Sequence, residues 1–393
     1  MTTDRLELCV VGKYDIPSKQ CQSVFQIDLL NSNVAIFGSA LSGKTNLLKL
    51  FINCLHKRNN EKNEQIFILD FSGALQEYKN MPLVSAYFDS SNEEYVQRVF
   101  RILEMILRKN IKELGTRNFA TGRTSNLPHT TFIIDNLNAF IDESRYNSYH
   151  EKFGRLCRDG RSRGISIVFT ATDTKGLARY LLSFEQKIAL NLSQEKCTEL
   201  FGIKSEPLGN IPGRGYANVT ERPNGIIGTF NLNAPYEVQI LKSSDIADET
   251  SNFIRKLHGK YGYDAATAKF DREVKKYQTF PQELSYSDFL ELKQPYSLDE
   301  RNPSGSFVEL GLDYVDFKPI GVDFDDSRVI AVYGKREFGK TNLLKILLDN
   351  LSKIRSTFRF IFFDDGRKQL LDFYNKFKFE LNCEYIGEFK AVD

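Results

Sequence analysis

The sequence predicts an α/β fold: a sheet of largely parallel strands with helices on both faces, followed by an incomplete second copy. Three observations predict it. Continuous apolar runs such as Ile66-Phe-Ile-Leu-Asp70 and Thr131-Phe-Ile-Ile-Asp135 have the length and composition of strands buried on both faces. Helical patterns separate such runs, as with Leu47, Leu48, Phe51 and Leu55 at helical spacing. Finally, residues 34–55 recur as residues 329–351, down to a shared Thr-Asn-Leu-Leu-Lys beginning at Thr45 and at Thr341.

The repeated stretch matches G-x-x-x-x-G-K-[ST]. In the first copy it is Gly38, Ser39, Ala40, Leu41, Ser42, Gly43, Lys44 and Thr45; in the second, Gly334, Gly339, Lys340 and Thr341 hold the fixed positions. An apolar run enters each first glycine and a helical pattern leaves each threonine, which is the context this phosphate-binding motif requires. The loop's backbone N–H groups and the helix N-terminus form a concave anion site. The lysine adds charge near the β- and γ-phosphates, and the threonine hydroxyl can ligate Mg²⁺. The expected ligand is a nucleoside triphosphate with Mg²⁺.

With 393 residues, the chain is long enough for two domains with sizeable cores. A net charge of +2 gives no overall drive toward nucleic acid. The six cysteines show no paired spacing and only four histidines are present, so buried free thiols are expected rather than disulfides or zinc. No apolar run approaches membrane-spanning length, and the chain reads as soluble.

In chain order, Gly12-Lys-Tyr-Asp-Ile-Pro17 and residues 24–28 read as a β-rich lead-in, answered by residues 308–320 before the second loop. The spacing of 296 residues between Lys44 and Lys340 implies tandem domains rather than a solenoid. Asp70, and Asp364 after Phe360-Ile-Phe-Phe, end strands on the side where ligands bind in open α/β sheets; capping of the next turn explains them equally well. Residues 92–114 form a long helix whose polar face carries Arg98, Arg101, Arg108, Lys109 and Lys112, interleaved with glutamates and read as solvated. Asp135 closes the next strand and is expected to hold Mg²⁺ beside the phosphate loop. The following position, where hydrolysing relatives carry an acid, is Asn136; a lost general base costs about 10²–10⁴-fold in rate. Arg158, Arg161 and Arg163 crowd a helix end near Gly160. They are either arginine fingers for a neighbouring protomer or solvated cations at a helix C-terminus. Further strands are expected at 187–192, 225–231 and 237–241, with a tight turn at Gly213-Arg-Gly215.

These signals, taken in order, resemble the FtsK/SpoIIIE superfamily of pumping ATPases and, more narrowly, the EssC/EccC/YukBA-type ATPase of type VII secretion. The residues that carry the resemblance are Asp15-Ile-Pro17 with Gln20 and Gln22, the loop from Gly38 to Thr45, Ile68-Leu-Asp70, Ile133-Ile-Asp-Asn136, Gly160-Arg-Ser-Arg-Gly-Ile165 with Phe169-Thr-Ala-Thr172, and Ile211-Pro-Gly-Arg-Gly215. The resemblance implies a RecA-like P-loop NTPase fold with ATP and Mg²⁺ as ligands, and it matches the second module plus the start of the third. It also implies a cytoplasmic machine tethered to the membrane through parts outside this chain, assembling as a homo-oligomer with other secretion-machine subunits. Its cargo would be small helical-hairpin secreted proteins.

Three departures qualify it. Asn136 replaces the acid, Asp173 stands where DNA-translocating relatives carry glutamine, and the second copy stops before a metal-binding strand, as in a fragment or truncated product. The expected layout is an ATPase module over 1–270, a linker over 271–303 and the N-terminal part of a second module over 304–393. The expected function is ATP binding with slow or degenerate hydrolysis, coupled to substrate engagement or assembly. The alternatives are a DNA translocase and a non-hydrolysing nucleotide-dependent scaffold.

Overall fold

The computed structural model describes residues 8–17, 20–30, 32–58, 64–91, 93–120, 127–202, 206, 208–219, 235–243, 255–264, 266–267, 269–270, 274–277, 284–285, 287–289, 307–313, 318–324, 326, 329–354, 359–364, 368–378 and 382–387. The chain divides into two compact units, 1–279 and 280–393.

The first unit is built on one ten-stranded sheet. Its strands are β1 (Leu8–Ile16), β2 (Cys21–Asp28), β3 (Val34–Gly38), β4 (Glu64–Asp70), β5 (Val84–Asp89), β6 (His129–Asp135), β7 (Ile165–Ala171), β8 (Gln186–Leu190), β9 (Arg214–Ala217) and β10 (Tyr236–Ile240), in the spatial order β2-β1-β10-β9-β8-β3-β7-β6-β4-β5. From β8 to β5 every pairing is parallel, and from β9 outward every pairing is antiparallel. The parallel strands are the continuous apolar runs, because residues on both of their faces are covered. Val34 and Ile36 join Leu47, Leu48, Phe51 and Leu55 of α1 (Lys44–Arg58) in one core, with Ile68, Ile133, Val168 and Ile188. The intervening residues face the other way. Phe37 meets Phe169, and Phe132 meets Phe100 of α2 (Glu93–Leu114), which stacks in turn on Phe140 of α3 (Leu137–Asp142). Phe153 of α4 (His150–Asp159) completes this aromatic layer. Each such ring taken out of water contributes about 1.5–3 kcal/mol.

Several expectations need correction. Arg98 lies on the buried side of α2 and is 1% exposed, so it is no part of the solvated basic face. Of the cysteines, Cys9, Cys157 and Cys197 are buried but Cys21, on edge strand β2, is exposed. Gly213, at φ +78°, makes the expected tight turn, yet Arg214 and Gly215 already belong to β9. The strand expected at 225–231 lies outside the described residues, as does most of the expected linker. Residues 274–277, assigned to that linker from sequence, lie instead against edge strand β5. The Val274 and Tyr277 N–H groups donate to the Pro82 and Ser85 carbonyls, and the Lys276 ammonium reaches the carbonyls of Met81, Pro82 and Val84. This blunts an open sheet edge. A small pair, β11 (Tyr263–Asp264) and β12 (Lys269–Phe270), lies nearby in sequence.

The second unit repeats parts of this plan. Its antiparallel pair β13 (Phe307–Leu312) and β14 (Pro319–Asp323) carries a register shift between Glu309 and Gly311, as β1 and β2 do between Val10 and Gly12. Then follow a helix (Lys340–Ile354), β15 (Arg359–Phe363), a shorter helix (Leu371–Phe377) and β16 (Asn382–Ile386), with β15 and β16 parallel like β4 and β5. The departure is at residues 329–334, expected to enter the second loop as a strand. They are irregular, with Val329 88% and Tyr333 90% exposed. In the first unit β3 is hydrogen-bonded by β7 on one edge and β8 on the other. Among the described residues the second unit has no strand beside 329–334, and an apolar extended run without ladder partners leaves its peptide groups to water.

His56, near the end of α1, makes stability depend on pH. It is buried, its Nδ1–H donates to the Ile52 carbonyl, and its Nε2 accepts from the Leu83 N–H. Burial pushes its pKa down to about 4, opposed by the Ile52 hydrogen bond and reinforced by the charges of Lys276 and Lys260. In the unfolded chain its value is near 6.5, so between the two the unfolded state binds a proton that the folded state does not. The neutral ring's contribution is therefore complete above pH 6.5 and is lost as pH falls toward 4. Urea titrations should show a stability about 2 kcal/mol lower at pH 5 than at pH 7 from this group. The slope should flatten by that amount in His56→Gln; identical slopes for the two proteins would contradict the assignment.

Candidate functional site

The first loop hangs between the end of β3 and the start of α1. Its backbone is left-handed at Leu41 (φ +60°) and Gly43 (φ +103°), and the second loop repeats this at Glu337 (φ +68°) and Gly339 (φ +79°). A Cβ on Gly38 would stand 2.4 Å from Ser42 Oγ and 2.5 Å from the Leu190 carbonyl, so only glycine lets the loop close. The cradle is braced from distant parts of the chain. The Gly213 N–H donates to the Ser42 carbonyl (2.8 Å), and Asn191 Nδ2 donates to Ser39 Oγ (3.1 Å) and to Asn210 Oδ1 (2.6 Å). Asn46, inside the repeated Thr-Asn-Leu-Leu-Lys, donates to the Leu241 carbonyl and accepts from Ser243 N and Oγ, each at 2.7 Å.

The side chains facing the cradle suit a phosphate. The Ser42 hydroxyl is buried without a hydrogen-bond partner among the described residues. Lys44 is half-buried, and its ammonium donates to the loop's own carbonyls, Gly38 at 2.8 Å and Ser39 at 2.7 Å. Burial lowers its pKa, while the Asp135 carboxylate pulls it back up. Thr45 lies in the first turn of α1 with its hydroxyl unpartnered among the described residues, and Ala40 and Leu41 form the tip, with Leu41 95% exposed.

Asp135 ends β6 on the same side of the sheet, but β7 lies between β6 and β3, so the aspartate is one strand removed from the loop rather than beside it. It is buried. Thr170, from the intervening β7, donates its hydroxyl to one carboxylate oxygen, and Ser72 donates to the other. Thr170 Oγ1 also accepts from the Asn136 N–H at 2.8 Å. Asn136 is left-handed (φ 66°, ψ 66°), a conformation asparagine tolerates better than most residues. Asn138 accepts from Thr172 N (2.8 Å) and Asp173 N (3.3 Å), fixing the chain after β7. Asp173 pairs with Lys196 at 2.8 Å, and that hydrogen bond holds its carboxyl below the ordinary range.

Asp70 is resolved as a turn-holding group. Its buried carboxylate accepts from the N–H groups of Ser72 (3.0 Å), Gly73 (2.8 Å) and Leu75 (2.8 Å) and from Tyr87 Oη (2.8 Å). Burial, with the Asp70 hydrogen bond, raises the Tyr87 hydroxyl's pKa. The second unit repeats the device: Asp364 accepts from the Leu370 N–H and Tyr385 Oη.

Arg161 and Arg163 stand where β7 begins, at the opposite end of the sheet from the loop that follows β3. Arg161 pairs with Glu185 at 3.0 Å, and Arg163 donates to the carbonyls of Gly115 and Arg117. In the second loop Lys340 repeats the Lys44 geometry on the Gly334 and Lys335 carbonyls, while the Thr341 hydroxyl donates to Gln369. Ser72, Thr170, Asn138, Asn191 and Asn46 were missed from sequence. Only Asn46 left a trace there, in the repeated Thr-Asn-Leu-Leu-Lys.

No protein-family model matches the chain. It is 26% identical over 355 residues to the ESX secretion system protein YukB of Bacillus subtilis, covering 86% of this chain and 22% of YukB. EssC (ATPases 2 and 3) from Geobacillus thermodenitrificans superposes on 98% of this chain and 70% of its own, with a TM-score of 0.73 at 19% identity. Its relatives are type VII secretion ATPases. Thermomonospora curvata EccC (ATPases 2 and 3), solved in complex with a signal sequence peptide, covers 98% of this chain and 69% of its own, with a TM-score of 0.67 at 19% identity. The chain spans about a fifth of the length of its curated YukB relative. The fold is that of the EssC/EccC P-loop ATPase domains, a large central sheet flanked by helices.

The hydrogen bonds at Asp70 set an expectation. Asp70→Ala leaves three backbone N–H groups and the Tyr87 hydroxyl without their acceptor, so urea unfolding should show a loss on the order of 3 kcal/mol. A loss below about 1 kcal/mol would contradict the turn-holding role.

Proposed function

We propose that this chain is an ATP-binding part of a type VII secretion ATPase, binding Mg·ATP in its first unit and hydrolysing it slowly. The carrying observation is the combination of a closed glycine cradle, with Lys44 and an unpartnered Thr45 hydroxyl, and a buried Asp135 followed by Asn136 rather than an acid. In this reading the N–H groups of residues 38–43 hold the phosphates and Lys44 leaves the loop carbonyls to meet them. Thr45 and Asp135 would hold Mg²⁺, which when bound neutralises phosphate charge. Thr170 and Ser72 orient the Asp135 carboxylate. Asn136 would take the position of a base but cannot accept a proton at neutral pH. The first unit is then one ATPase module and the second repeats parts of its plan, with an exposed entry to Gly334 that makes it the weaker site.

The parent protein in this reading sits at the cytoplasmic face of the membrane. No described helix is long and apolar enough to cross a bilayer, so the tether would lie in parts outside this chain. Nucleotide state in the assembled homo-oligomer would be coupled to engagement of small helical-hairpin secreted proteins and to other machine subunits. Arginine fingers at Arg161 or Arg163 would have to act on a neighbouring protomer and would first have to leave their present partners.

Two measurements test this. Wild-type turnover should fall below about 1 s⁻¹, and Asn136→Glu should raise it, by up to about 10²-fold if the left-handed backbone at 136 is kept. A wild-type rate well above that limit would show that another group supplies the base. The DNA-translocase reading predicts tight binding that weakens steeply with salt. Here the basic side of α2 is reduced, since Lys109 pairs with Glu113 (3.8 Å) and Arg98 is buried. Double-stranded DNA should bind weakly at physiological salt and leave ATP turnover unchanged; tight, salt-sensitive binding with stimulated turnover would transfer the case to the translocase.

A further inference from the structure

On the outer side of the helical layer, α4 and the short helix α5 (Ala178–Leu181) enclose a half-open cavity of about 400 Å³ that the nucleotide site does not use. Its size falls in the range of pockets that take small ligands or peptide side chains. Arg158 and Arg179 line it together with Tyr180, His150, Ser183 and Glu151.

The two guanidiniums are available. Arg158 has no hydrogen-bond or ion-pair acceptor among the described residues, and its neighbours on α4 form pairs elsewhere: Arg155 is bonded to Asp159 at 3.7 Å. Arg179 stacks on the ring of Tyr180, 4.6 Å from its centroid, and donates to the Tyr180 hydroxyl. That hydroxyl in turn donates to the His150 carbonyl at 3.4 Å. Arg179 is thereby oriented without a carboxylate partner among the described residues.

Glu151 lies seven residues before Arg158 on α4, about 10 Å away along the helix axis. With two arginines against one glutamate, the lining is net cationic. Leu182, immediately after α5, is 93% exposed. A cationic pocket next to an exposed leucine suits a polypeptide carrying a carboxylate beside an apolar side chain, more than a free inorganic anion, which would make no use of the leucine.

The geometry points to a docking site for an acidic, apolar-flanked segment of a partner polypeptide, with its carboxylate held between Arg158 and Arg179. This rests on the reading of the chain as a polypeptide-handling module only for the kind of partner, and its test reads binding without nucleotide, so the two can fail separately.

The probe is a fluorescein-labelled peptide built of Leu-Glu-Glu-Leu repeats, titrated with the full chain and followed by anisotropy. Binding should saturate and should weaken about tenfold or more in the Arg158→Gln/Arg179→Gln double variant, and likewise when glutamine replaces glutamate in the peptide. Because both arginines are exposed, the double variant should melt at the wild-type temperature. Leu182→Ser should also weaken the peptide. Equal affinity of wild type and double variant would overturn the proposal. So would inorganic phosphate displacing the peptide at the peptide's own concentration, which would mark an anion site with no polypeptide component.

Discussion

A cradle of backbone N–H groups can hold phosphate only if the strand feeding it is fixed, and in this chain that depends on β3 being paired along both edges. β7 and β8 supply the pairing, and the Leu190 carbonyl at the end of β8 packs so closely on Gly38 that no side chain fits. The turn at Gly213, between β8 and β9, then holds the loop through the Ser42 carbonyl. The second unit supplies the contrasting case in the same molecule. Its loop has the same glycines, the same left-handed positions and the same lysine geometry, yet residues 329–334 have no neighbour strand among the described residues and lie exposed. Local sequence is thus enough to shape the loop, and the surrounding sheet is what anchors it.

Behind the loop, polar groups are arranged to hold one carboxylate in place. Asp135 is buried with both oxygens accepting hydroxyl donors, one from β7 and one from the turn that Asp70 organises. The next residue is Asn136 in a left-handed conformation, hydrogen-bonded through its backbone N–H to Thr170. A buried carboxylate kept fully satisfied costs less to desolvate than an unpaired one. Under the function proposed above, the arrangement suits retention of a metal-bound nucleotide more than rapid proton transfer.

Much of this was legible in sequence wherever the signal is local. Both loops, helices α1, α2 and α4, and strands β3, β4 and β6 follow from apolar periodicity and glycine spacing. What escaped depends on contacts distant in the chain. The bond from Asn46 to Leu241 spans 195 residues, and the placement of β7 between β3 and β6 is a topological fact that no short pattern encodes. Arg98 was misread because its charge suggested solvent while its position on α2 is that of a core residue. Sequence supports two readings of Asp70 equally; the N–H groups of residues 72, 73 and 75 converging on it decide for the turn.

The central claim is that one loop, the braced one, binds nucleotide. Calorimetric titration of the full chain with Mg·ATP tests it most directly. The account predicts about one equivalent of tight binding, lost in Lys44→Ala without a change in folding cooperativity and retained in Lys340→Ala. Unchanged binding in Lys44→Ala, or its loss in Lys340→Ala alone, would contradict it.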